Sequence, residues 1–158
     1  MEIEHAAVKH PGLHVFHGKG GGFFKRSIGW MLTAKKRGFD ALILLIDRDR
    51  ETERVRQLDL AQAFEQVEFR RALGVAIESF DAWILADEKA LTKILGRPVR
   101  TQKTPESIRR PKEACAELGI LRSDLYDEVC QILEIEALTQ RCPEGFAPFA
   151  QRVRDLAR

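Results

Sequence analysis

The chain has 158 residues, 44% of them hydrophobic and 32% charged, the balance of a water-soluble globular domain. Its 26 basic and 24 acidic side chains leave a net charge of only +2, which excludes a whole-domain electrostatic footprint on nucleic acid. No apolar run approaches the roughly 20 residues that span a bilayer, and the opening MEIEHAAVKH lacks the apolar core of a secretory signal, so a cytoplasmic protein without membrane contact is expected.

Three short apolar segments have strand character, and each precedes a stretch of helical period, the alternation of a parallel α/β sheet. The first is LHVFH, Leu13 to His17. It leads through GKGGG (18–22) into FFKRSIGWMLTAKKRG, where Phe24, Ile28, Met31 and Leu32 recur at helical spacing and Gly38 offers a C-cap. The second is ALILLI, Ala41 to Ile46, apolar on both faces as a central parallel strand is. A charged helix from about Thr52 to Phe64 follows, with Val55, Leu58 and either Leu60 or Ala61 facing inward. The third is GVAI, Gly74 to Ile77, and it opens ESFDAWILADEKALTKILG, whose Phe80, Trp83, Ile84, Leu91, Ile94 and Leu95 mark an amphipathic helix ending at Gly96.

From about Thr104 the character changes. Pro105 and Pro111 each stand where a helix can begin, and Ser123 suits an N-cap, so short helices are expected over about 111–118, 124–133 and 146–157. The whole chain, 1–158, reads as a single domain. Its α/β core covers about residues 1–100, and a helical C-terminal extension over about 104–158 packs on that core, because about 55 residues leave little room for an independent one. Cys115, Cys130 and Cys142 are odd in number and match no zinc spacing, which predicts buried free thiols.

Parallel sheets collect the carboxyl ends of their strands on one edge, where ligands bind. That edge would carry His17 with GKGGG, then Asp47 and Asp49, then Glu78 and Asp81. On an extended segment Asp47 and Asp49 point to the same side while Arg48 and Arg50 point away, a geometry suited to a divalent ion. Hard cations take carboxylate oxygens and keep several waters, so two or three carboxylates suffice for magnesium or manganese. The alternative is an acidic turn that merely faces solvent. GKGGG, through Gly18, Lys19, Gly20 and Gly21, offers backbone amides to a phosphate. It matches neither the dinucleotide fingerprint nor the nucleotide-triphosphate loop, and a turn with Lys19 in solvent reads equally well. His17 is the one histidine at this edge and would titrate near neutral pH, whereas Trp83 reads as a core anchor.

Taken together, KGGG before a helix, LILLIDRDRE (42–51), ESFDAWILAD (78–87), RRPKEA (109–114) and CPEGFAPFAQRV (142–153) resemble Toprim-fold proteins. The resemblance is closest to a bacterial and archaeal Toprim-like family of unknown function, related to the nuclease domain of OLD (overcoming lysogenisation defect) proteins. It implies a three-layer, mostly parallel sheet between helices and a metal-dependent nuclease or other phosphodiester-processing activity on nucleic acid. Asp47 and Asp49 would be the magnesium-binding DxD pair, and Glu78 and Asp81 match a further acidic pair. The family's usual opening strand ending in glutamate has no counterpart in MEIEHAAVKHPG, so the resemblance implies lost or reduced activity, or another acid such as Glu78 or Glu51 in the catalytic role. The rival expectation is a non-catalytic Toprim-like module that binds a protein or a nucleic acid. A sheet without that opening strand exposes an edge, and edges invite pairing, so a homodimer is also expected.

Overall fold

The computed structural model describes residues 22–120 and 123–157. The expected first strand, Leu13 to His17, and the turn formed by Gly18, Lys19, Gly20 and Gly21 lie outside the described residues. The described part is a mixed α/β structure: a parallel pair of strands flanked by helices on both faces.

Helix α1, Phe23–Lys36, ends as its sequence demands. Gly38 takes a left-handed φ of 78°, and the N–H groups of Gly38 and Phe39 donate to the carbonyls of Lys35 and Ala34, closing the orphaned last turn. Strand β1, Ala41–Asp47, then runs parallel to β2, Arg70–Ala76, with Ala41 opposite Arg70 and Asp47 opposite Ala76. Helix α2, Glu53–Gln62, connects them. Of its expected inward residues Leu58 and Ala61 are fully buried, while Leu60 is 48% exposed.

The period-2 rule sorts the sheet's side chains onto two faces. Leu42, Leu44 and Ile46 of β1 and Leu73 and Val75 of β2 pack under α1 and α2. The opposite face of β2 is built from Ala72, Gly74 and Ala76, small residues that admit helix α8, Phe146–Leu156. A Cβ at Gly74 would lie 2.3 Å from Phe149 Cδ2, so the glycine is a requirement of that close approach.

Strand β2 begins earlier than the expected Gly74, because Arg71 organises the chain leading into it. Its guanidinium donates to the carbonyls of Gln62 (3.0 Å), Phe64 (2.7 Å) and Val67 (3.0 Å), satisfying a loop that has no ladder of its own. The outer edge of β2 is closed by side chains. The Gln62 carboxamide donates to Arg71 O and accepts from Leu73 N–H, and Arg152 of α8 donates to Leu73 O at 2.7 Å while pairing with Asp59 of α2.

The single helix expected from Phe80 to Leu95 is two: α3, Asp81–Ile84, and α4, Glu88–Leu95. Asp87 makes the break. Its buried carboxylate accepts the N–H groups of Lys89 and Ala90 as the N-cap of α4 and that of Glu134 from a distant segment. After the 3-10 turn Pro105–Ser107 come α5, Pro111–Leu118; α6, Ser123–Ile132; and α7, Ile135–Arg141, the last of which sequence periodicity did not reveal. Glu106, only 5% exposed, accepts from Trp83 Nε1 and from the N–H groups of Glu144, Gly145 and Phe146, and so holds the start of α8. Among the described residues no helix is long and apolar enough to cross a membrane.

Two measurements check this packing. Gly74→Val should lower stability by about 1–3 kcal/mol in urea denaturation through overpacking, and Phe149→Leu in the same chain should return part of the loss. The cysteines divide, against the expectation that all are buried: Cys115 and Cys142 are buried and their thiols are pushed up to about 12 by burial, whereas Cys130 is exposed. At pH 8 a chromogenic disulfide reagent should therefore label Cys130 alone in the native protein and all three cysteines after denaturation, with Cys130→Ser removing the native signal.

Candidate functional site at the carboxyl end of the sheet

The two strands end side by side, and their exits are cross-linked. Arg48 N–H donates to Ala76 O at 2.9 Å, and Asp49 N–H donates to Glu78 O at 3.0 Å. Asp47 Oδ1 accepts Phe80 N–H at 2.9 Å. Asp47, Asp49 and Glu78, which are 31 residues apart at the extremes (78 minus 47), are thereby brought to one end of the sheet.

The backbone there is unusual. Asp49, Arg50 and Glu78 have φ values of 50°, 62° and 60°, and they are the non-glycine residues with positive φ among those described. Residues 48–51 form a turn closed by Glu51 N–H on Arg48 O, with both central residues left-handed, which is type I′. Aspartate tolerates that conformation and arginine does not, so the turn carries strain. This corrects the expected geometry: β1 stops at Asp47 and the chain turns, so Asp47 and Asp49 are not successive same-side residues of one extended segment.

Arg48 is also not directed away. Its guanidinium pairs with the Glu78 carboxylate, the side chains being 21% and 15% exposed. Arg54 of α2 donates to Asp47 O at 2.8 Å and approaches the 77% exposed Asp49 carboxylate at 3.7 Å. The same guanidinium lies 5.2 Å from the centre of the Phe23 ring, which sets the first residue of α1 beside the site. Each of Asp49 and Glu78 is thus matched by an arginine that the motif DRDRE and the following helix supply. The alternation of sign was the signal for these partners, and reading only its acids misses them.

Asp81 belongs to a different environment. Its carboxylate accepts Ser79 Oγ at 2.9 Å and the Tyr126 hydroxyl, and the tyrosine is pushed above its ordinary range by burial first and by that carboxylate second. Asp81 therefore fastens α6 to α3, apart from the Arg48–Glu78 pair. Among the described residues, no three His, Cys, Asp or Glu side chains stand as a ready metal-holding group.

Comparison of the chain with protein-family models, curated proteins and solved structures gives no match.

The left-handed arginine offers a direct check. Arg50→Gly should raise stability by about 1 kcal/mol in thermal or denaturant unfolding, since glycine takes the turn without the Cβ clash. A loss of stability would mean that the arginine side chain contributes more than its backbone conformation costs.

Proposed function

We propose that the chain is a Toprim-like, metal-dependent protein of the phosphoryl-transfer and nuclease class acting on nucleic acid. The observation that carries this reading is the gathering of Asp47, Asp49 and Glu78 at the carboxyl ends of adjacent parallel strands, in turns that hold three left-handed residues, two of them, Arg50 and Glu78, of types that avoid that conformation. Such strain collects where a site is over-determined by its surroundings.

The donor set fits a hard cation in part. Asp47 keeps one carboxylate oxygen without a partner among the described residues, and Asp49 is largely exposed, so these two suit magnesium or manganese with waters completing the shell. Glu78 would join only by exchanging the Arg48 guanidinium for the ion. A bound ion would supply a Lewis acid and an activated water for phosphoryl chemistry. The chain itself supplies guanidinium forks at Arg48 and Arg54, whose planar donors match phosphate oxygens. On this reading the described strands are two of a longer Toprim sheet.

A second reading is favoured by the ion pairs themselves: arginines already neutralise Glu78 and Asp49, as a non-catalytic Toprim-like module binding a protein or nucleic acid would allow. Calorimetric titration with magnesium and manganese separates the metal claim from both. Saturable binding should disappear in the Asp47→Ala, Asp49→Ala double variant, and equal binding or none defeats the ion site. Manganese-dependent cleavage of plasmid or single-stranded DNA that is lost in Asp47→Ala selects the enzyme, while metal binding without cleavage selects the module.

A further inference from the structure

We infer that the face formed by α4 and the segment 97–103, which runs back along it, binds the phosphate backbone of double-stranded nucleic acid without reading its sequence.

The face is built by a reversal. Gly96 takes a left-handed φ of 63° at the end of α4 and turns the chain back on the helix. Val99 N–H then donates to Thr92 Oγ1 at 3.0 Å, Thr101 N–H to the Glu88 carboxylate at 2.7 Å, and Thr101 Oγ1 to Leu85 O at 2.7 Å. Arg141 of α7 completes the attachment by donating to the carbonyls of Ala86 and Gln102. Helix and return segment thus lie side by side over about 12 Å, the axial length of eight helical residues.

Cations alone supply its charge. Residues 89–104 hold Lys89, Lys93, Arg97, Arg100 and Lys103 and no acid, a charge of +5, so the rest of the chain sums to −3 (+2 less +5). All five are exposed. Arg100, its side chain 91% exposed, reaches Glu88, but that carboxylate is already held by Thr101 and Arg141. Arg97 spends one bond on Leu118 O. Among the described residues no carboxylate pairs with Lys89, Lys93, Arg97 or Lys103. The fold gains nothing from this placement. Lys89 stands in the first turn of α4, where the helix dipole opposes a cation, and Lys93 follows one turn on as a like-charge neighbour. A surface that merely faces solvent intersperses the two signs.

The chemistry selects the partner. The exposed large hydrophobic residues, Leu32, Ile43, Leu60 and Ile135, all lie elsewhere, so the face lacks the anchor on which a protein interface turns. Residues 85–104 contain no aromatic ring on which unstacked bases could rest. Point charges and arginine forks remain, and these suit phosphates, not base edges. The inference rests on the nucleic-acid part of the proposed function and is independent of its metal.

The test titrates the full chain into a labelled duplex of mixed sequence, in EDTA, and follows fluorescence anisotropy across salt concentrations. In the Lys89→Gln, Lys93→Gln, Lys103→Gln variant the log–log salt slope should be shallower by about 2.7, so the affinity lost between about 50 and 200 mM salt should shrink about 40-fold. Lys93→Gln alone, with a change of about 0.9, gives the reading should the triple variant not fold. Removing the same charge around α1, by Lys25→Gln, Lys36→Gln and Arg37→Gln, should leave the wild-type slope. An unchanged slope in the first variant, or an equal change in the α1 variant, overturns this face while nucleic-acid binding stands. A wild-type chain that binds no duplex removes both. Tighter binding of polyglutamate than of duplex means an acidic protein partner and likewise overturns the inference.

Discussion

The buried carboxylate of Glu106 is the interaction on which the arrangement of the second half of the chain depends. It accepts the indole N–H of Trp83 and the N–H groups of Glu144, Gly145 and Phe146, at 2.9 to 3.3 Å. Three of those donors lie at the start of α8, where the helix would otherwise present orphaned amides and the positive end of its dipole. A carboxylate satisfied in this way is held by charge-assisted bonds. Removing it would leave several buried donors unmatched, at about 1–3 kcal/mol for each that water cannot reach. Through Glu106 the segment after α4 fixes where α8 begins. Trp83, packed against Phe146 and Phe149, fixes how deeply it sits.

The placement of α8 then propagates to the strand ends. Phe149 fills the space above Gly74, and Gly145 comes so near β2 that a Cβ there would lie 2.8 Å from Val75 O. With β2 held on that face by α8 and on the other by α2, its exit toward Glu78 has little freedom. Glu78 is driven to a positive φ, and its carbonyl and carboxylate both engage the 48–51 turn. The acidic and basic residues at this end are therefore located by packing more than 60 residues away in sequence, since Phe149 lies 71 positions beyond Glu78 (149 minus 78).

This division explains what could be read from the residues. Helices α5, α6 and α8 and strand β1 were legible within one or two residues, because proline at the first helical position, the helical recurrence of apolar residues and an unbroken aliphatic run are local signals. The break at Asp87 was not. The apolar spacing of 80–95 is continuous and hides the break, and the Asp87 carboxylate is held there by the remote Glu134 N–H as well as by its local capping bonds to Lys89 and Ala90. The start of β2 escaped for a like reason, since Arg71 earns its place by bonding carbonyls of a loop. At the strand ends the carboxylates were visible as a motif, while the left-handed turn and the pairing of Arg48 with Glu78 arise only when two exits are laid side by side.

Gln62 has a consequence of a different order. Its carboxamide meets Arg71 O and Leu73 N–H as the peptide group of an adjoining strand would. Conversion of that amide to an acid, by substitution or by slow chemical deamidation, exchanges one NH2 for an anionic oxygen. The new oxygen would face the Arg71 carbonyl, acceptor against acceptor. The closure of the sheet on this side, which Gln62 shares with Arg152, therefore depends in part on a single nitrogen atom, and ageing of the protein would weaken it without any change in the gene.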